Sequence, residues 1–227
     1  MLAFHGSESL KERYLDRVER HKQADSIMQG YGYWTDGKGC AVGCTIHSAE
    51  HRDYETKLGV PAQIAHLEDQ LFEEMSKQDA REWPGRFLEA IPVGADLSKV
   101  WARFAIWMIR DSYFRGYECA ERERMIELHV AALGGVTSTS KEVDEVRMML
   151  KRSSTYASEA VLGSALAYTS PSMVKTSVHG ALISHSNETW VTENSVRMYR
   201  AEMMSDKLIE LLKETCPSRH KMQRVSQ

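Results

Sequence analysis

Cys40, Cys44, His47, His51 and Glu55 form the densest run of metal-ligating and nucleophilic side chains in the chain, directly after Tyr33-Trp34-Thr35-Asp36-Gly37-Lys38-Gly39. On a continuous helix, Cys40, Cys44, His47 and His51 fall at i, i+4, i+7 and i+11, which sets all four along one face. They cannot share one ion, because eleven residues of helix rise about 16 Å, whereas zinc ligands lie roughly 2.0–2.3 Å from the metal. A neighbouring pair can. His47 and His51, or Cys44 and His47, would supply two ligands if another helix brought Glu55, His66, Glu68 or Asp69 alongside, and His47, His51 and Glu55 are the set expected for a divalent metal ion. Such a centre would activate a bound water, the chemistry of a metal-dependent hydrolase. The thiols admit a different chemistry: a helix N-terminus and Lys38 would favour a thiolate on Cys40 or Cys44, with His47 or His51 as its base. No local protease signature surrounds them, and free cysteine is also among the residue types most often buried as plain core.

Gly37-Lys38-Gly39 before a helix start offers an anion site instead. Unpaired amide N–H groups, the positive end of the helix dipole and a lysine can hold a phosphate or carboxylate, and the preceding aromatics could stack a base. The Walker spacing is absent, since Lys38 is followed by Gly39 and Cys40 and no strand precedes it. A tight glycine turn with a solvated lysine reads the same residues without a ligand. Trp34, Asp36, Gly37, Lys38, Gly39 and Cys40 are the expected ligand-binding set.

These residues need a scaffold, and the pattern around them is helical. Ser9-Leu10-Lys11-Glu12 has capping-box spacing, and Leu10, Tyr14, Val18, His21, Ala24 and Met28 recur at helical intervals, predicting a helix over 9–29. Gly30 to Gly39 reads as an ordered loop, and helical pattern resumes near Cys40. Pro61 opens a helix to about residue 76, and Trp83-Pro84 opens a short one to about Ile91. Val100, Trp101, Phe104, Trp107, Met108 and Tyr113 line a long apolar helix. Helical pattern over 117–133 ends at Gly134-Gly135, and Thr139-Ser140-Lys141-Glu142 is a second capping box. Residues 153–186 turn rich in Ser and Ala, with Pro171 as a helix start, and small residues let helices approach closely. A final amphipathic helix runs over 193–215. No period-two run demands a sheet. The expected class is all-α: a multi-helix, bundle-like array with a glycine-rich loop near its N-terminus. It is read as one helical domain over 1–217 with a flexible basic tail over 218–227.

Composition narrows the function classes. The formal charge of -3, from 29 basic and 32 acidic side chains, gives no general drive toward polyanions, so nucleic acid is not an expected partner. Four scattered cysteines do not make a disulfide framework. The N-terminus lacks the order of a signal peptide, and no apolar run approaches the ~20 residues of a membrane span, so the cytoplasm is the expected compartment. Apolar faces around Trp101 and from Ser153 to Ser186 suit either a homodimer interface or internal core.

Tyr33 to Gly43, Leu58-Gly59-Val60-Pro61, Leu67-Glu68-Asp69 and Phe87 to Gly94 together resemble segments of an uncharacterised family of bacterial and phage-associated proteins. The resemblance covers the N-terminal half and implies a recurring, mobile or phage-borne module, without assigning any residue a role. The leading expectation is a soluble helical binding protein whose Trp34–Cys44 segment takes a small anionic ligand or a protein partner. The alternatives are the metal-dependent hydrolase and a host-interaction protein with no small ligand.

Overall fold

The computed structural model describes residues 1–30, 34–110, 120–152, 155–183 and 190–215. Regular structure among them is helical, as expected: eleven α-helices and a short 3-10 turn, with two isolated β-bridges and no strand. No helix among them is long and apolar enough to cross a membrane. The expected tail over 218–227 lies outside the described residues.

The chain divides into two compact units, Met1–Ser98 with the chain from Ser205 onward, and Lys99–Met204. The first holds α1 (Glu8–Gln23), α2 (Ala41–Ile46), α3 (Asp53–Leu58), α4 (Ala62–Glu74) and α5 (Lys77–Ala90). The second holds α6 (Val100–Arg110), α7 (Ala120–Leu133), α8 (Ser140–Arg152), α9 (Tyr156–Leu166) and α10 (Met173–Ile183). The last helix, α11 (Trp190–Lys213), contributes residues to both.

In the first unit, α1 packs on α2 and α5, and α2 packs on α4 and α5. Trp83, Phe72, Phe87, Leu67 and Leu71 are fully buried there. Three boundaries differ from the sequence pattern. The cap of α1 is Ser7, whose Oγ accepts from Leu10 N at 3.2 Å, and the helix ends at Gln23 rather than 29 because Asp25 adopts a left-handed φ of 52°. That reversal returns the chain so that Gly39 N donates to Ser26 O and Met28 N donates to Gly39 O. The helical run after Cys40 is two helices rather than one, because His47 takes a left-handed φ of 51° and ends α2. Finally, α5 starts at Lys77 under a Ser76 cap that accepts from Asp79 N, so Pro84 lies inside the helix instead of opening it.

In the second unit the capping box at Thr139 forms as its spacing requires: Thr139 N donates to Glu142 Oε2 at 2.8 Å and Glu142 N to Thr139 Oγ1 at 3.3 Å. Trp101 and Phe104 are buried and stacked, and Trp101 Nε1 donates to Ser164 O, so these aromatics are internal packing of this unit. The small residues bring α9 and α10 together. Ser177 Oγ donates to Ala160 O at 2.6 Å, and Gly163 lies against Ser177.

Gly180 is the tightest point of that crossing: a Cβ there would overlap Tyr156 O and lie 2.9 Å from Ala160 N, both backbone atoms that cannot turn aside. Gly180→Val is therefore expected to lower stability in urea unfolding by about 3 kcal/mol or more, the upper range of overpacking costs. Gly163→Ala, whose Cβ would meet Ser177 N at 3.3 Å, is expected to cost less. Equal midpoints for Gly180→Val and the parent protein would mean that the two helices are not in close contact.

Candidate functional site

The expected anion loop is a closed turn. Asp36 and Gly37 take φ of 50° and 77°, the consecutive positive values of a hairpin turn, and Thr35 and Lys38 exchange both backbone hydrogen bonds, at 2.9 and 3.0 Å. Gly39 N is bonded to Ser26 O at 3.1 Å. The amides of Thr35, Lys38 and Gly39 are thus already used, so they do not form a cradle. The side chains of Thr35, Asp36 and Lys38 are exposed at its tip, whereas Gly39 and Cys40 are buried.

Behind the turn stands an aromatic cluster. Trp34 stacks on His47 with centroids 4.3 Å apart and planes 14° from parallel, and His21 of α1 meets Trp34 edge-on at 5.2 Å. His21 Nε2 and His47 Nε2 are 2.7 Å apart, a distance that requires one ring to donate and the other to accept. Burial, followed by the charge of Arg17, lowers the pKa of both rings, that of His47 to about 4. His47 reaches this place because α2 ends on it. The last carbonyls of that buried helix are met from afar: Arg17 Nη1 donates to Thr45 O at 2.9 Å and Lys57 Nζ to Ile46 O at 3.1 Å.

The other end of α2 enters a buried polar cluster. Glu68 and Asp69, adjacent on α4, are 0% and 1% exposed. His51 Nε2 lies 3.2 Å from Asp69 Oδ2, and the His51 ring stacks on His66 at 3.9 Å. Burial raises the Glu68 pKa well above the ordinary carboxyl value; Tyr54 opposes this and Asp69 adds to it, so the carboxyl is held toward its neutral form. Burial also raises the Tyr54 hydroxyl, with Glu68 adding to the shift. The thiols follow the same rule. Burial, then Asp69, pushes Cys40 far up, and burial pushes Cys44 to about 12, where its Sγ–H donates to Gly39 O at 3.4 Å. A nucleophile needs the opposite shift.

The three expected metal ligands occupy three different settings. His47 pairs with His21, His51 faces Asp69, and Glu55 Oε1 accepts from Ala62 N at 3.0 Å at the start of α4. Among the described residues, no three His, Cys, Asp or Glu side chains are grouped to hold a metal ion. The one-face alignment of Cys40, Cys44, His47 and His51 is lost where His47 ends α2. His21 read only as a member of the α1 stripe, although its sharing a face with buried Tyr14 and Val18 was the available signal.

The second unit holds a group that its local sequence did not signal. His129 is fully buried, with Nδ1 2.7 Å from Tyr168 Oη and Nε2 2.8 Å from Ser164 Oγ, while Ser164 Oγ donates to Val161 O. With that serine proton committed, the chain runs Tyr168 O–H to Nδ1 and Nε2–H to Ser164, which fixes the neutral tautomer. It spans 39 residues of sequence and joins α7 to α9.

No family model, curated protein or solved structure matches the chain.

The two buried groups titrate with opposite sign. Burial lowers His129 to about 4 from 6.5, so its contribution is present above about pH 6.5 and lost as pH falls through about 4, roughly 3 kcal/mol in total. His129→Gln is expected to flatten acid destabilisation across that window. Glu68 is raised, so stability is highest below the unfolded carboxyl value near 4.5 and falls as pH rises. Glu68→Gln is expected to gain on the parent protein from pH 4.5 upward. Urea midpoints between pH 4 and 8 check both, and parallel curves for parent and variant would contradict either assignment.

Proposed function

We propose that this chain is a binding protein that uses the exposed Thr35-Asp36-Gly37-Lys38 turn, backed by Trp34, His21 and His47, to contact a protein partner. The observation that carries this reading is the closure of the turn on itself. With the amides of Thr35, Lys38 and Gly39 engaged internally, the turn offers the exposed side chains of Thr35, Asp36 and Lys38 rather than a convergent set of N–H groups to an anion. Its conformation is set before any partner arrives, by the positive φ pair and by the Trp34–His47 stack, so little ordering entropy remains to be spent on contact. Asp36 and Lys38 place opposite charges on the same tip, which suits a mixed polar surface better than a phosphate. This is the interaction-protein class among the expectations, and a phage-borne or mobile origin fits it.

A photo-reactive residue at Thr35 of the full chain tests the reading in lysate of the source cells. A discrete crosslinked protein is expected, absent when the probe sits at exposed Lys141 and lost when Lys38→Glu and Trp34→Ala are added. The same product from Lys141, or its persistence in the double variant, would contradict the proposal. Inorganic phosphate raising the melting temperature of the parent protein but not of Lys38→Ala would instead favour the small-anion reading.

A further inference from the structure

We propose that the groove between α1 and α5 is an interaction surface for a basic segment, and that its occupant is this chain's own segment 216–227. This goes beyond the partner-binding reading and does not depend on it. The charge left over in the groove, an opening in its floor and the reach of the chain leaving α11 select that occupant.

The two helices run antiparallel: Lys11 near the start of α1 donates to Glu89 O and Ile91 O at the end of α5, and Lys22 near the end of α1 meets Glu82 in the first half of α5. Between them lies a groove of about 550 Å³, lined by five carboxylates and three cations. Each of those cations already meets a carboxylate. Lys22 meets Glu82 at 2.7 Å and Glu19 at 3.4 Å, Arg81 meets Asp25 at 3.6 Å, and Arg86 meets Asp206 at 3.3 Å. Asp16 is held by Arg20 at 3.0 Å. That leaves Glu12 and Glu89, both exposed and neither in an ion pair among the described residues. Lys11 acts on Glu89 by charge, but its ammonium is bonded to the two carbonyls of α5. The negative end of the α5 dipole adds to the same end of the groove, which therefore favours a cation.

Leu15, Val18 and Gly85 supply the apolar part of the lining. Glycine weakens a helix interior, and close approach of another backbone is one reason to keep it. Gly163 and Gly180 meet that condition, since each lies against backbone atoms of the facing helix. Gly85 does not: a Cβ there would meet nothing within 4 Å, which leaves an opening for an apolar side chain of an incoming segment. Segment 216–227 has the matching composition, with Arg219, Lys221 and Arg224, no acidic side chain, and Met222 and Val225 among them. It follows α11, whose Asp206 holds Arg86 at the groove, and both belong to the same compact unit. From Asp206 to Thr215 a helix rises about 14 Å, and the groove runs about 15 Å along α1 from Glu12 to Lys22, whereas twelve extended residues span up to about 40 Å. The segment therefore reaches the groove whichever way α11 points. A tether of that length sets an effective concentration on the order of millimolar, at which exposed ion pairs suffice to hold it.

A photo-reactive residue at exposed Asp16 of the full chain, irradiated in dilute solution at low salt and read by mass spectrometry of the digested monomer, tests the proposal. A crosslink to a peptide from 216–227 is expected, absent when the probe sits at Lys141. Glu12→Lys with Glu89→Lys is expected to cut its yield about fivefold or more, the combined effect of turning two exposed attractions into repulsions. Adding Arg219→Glu, Lys221→Glu and Arg224→Glu to that variant is expected to restore the yield. Gly85→Leu, which fills the opening, is expected to lower it with the charges intact. Should the Glu12 and Glu89 variant fail to fold, the three substitutions in 219–224 alone carry the test, with the same loss expected. A parent protein that gives no crosslink to 216–227, or a yield indifferent to these charges, would overturn the proposal. So would crosslinks confined to covalent dimers, which would make a second copy the occupant.

Discussion

A helix that ends inside a protein leaves its last carbonyl groups without partners, and each one buried unpaired costs about 1–3 kcal/mol. Much of this structure answers that cost. Where glycine follows the helix, the backbone caps itself. Gly59 turns left-handed after α3 and lets Val60 N reach Tyr54 O, and Gly135 does the same after α7, where Val136 N reaches Ala131 O. Several helices without that glycine are capped by side chains from elsewhere. Lys11 meets Glu89 O and Ile91 O after α5, and Gln29 meets Phe72 O and Met75 O after α4. Arg122 meets Ile109 O and Arg200 meets Leu182 O within the second unit. These bonds tie distant segments together while satisfying a local need.

The candidate site is a consequence of one such end. All six residues of α2 are buried, and no glycine stands at its C-terminal cap. His47 takes the left-handed position, a conformation rare for residues other than glycine though less so for histidine. Arg17 and Lys57 supply the missing donors. That arrangement turns the His47 ring outward against Trp34 and toward His21, and the returning chain after Asp25 brings Ser26 to Gly39, which closes the turn. The opposite end of α2 buries Cys40 beside Asp69, and burial and that neighbour both hold the thiol in its protonated form. The surface cluster and the buried cluster are therefore the two ends of one short helix.

What the sequence made legible follows the range of the interaction. The all-helical class, the Thr139 capping box and the glycine stop after α7 depend on residues within a few positions, so spacing alone exposes them. The small residues of α9 and α10 likewise announce close packing, although only the folded chain identifies Gly180 as the contact. Pro84 misled because proline favours a helix start, whereas the Ser76 cap eight residues earlier decided where α5 begins. The Cys40–His51 stripe failed for a similar reason: periodicity continues through His47, but the backbone reverses there. The pairs His21 with His47 and His129 with Tyr168 have no local signature, since their partners arrive from other helices. Long-range caps such as Lys11 and Arg17 are hidden in the same way, because a basic residue on a helix gives no sign of the carbonyl it will meet.

The claim that the end of α2 organises the site is tested most directly by amide hydrogen exchange on Arg17→Met, which keeps the side chain's length and removes its donors. The account predicts that Cys44 and His47 amides of α2 and the Thr35, Lys38 and Gly39 amides of the turn lose protection together, while α9 and α10 are unchanged. Protection of the turn that persists while α2 opens, or an α2 that stays closed without the Arg17 donor, would contradict it.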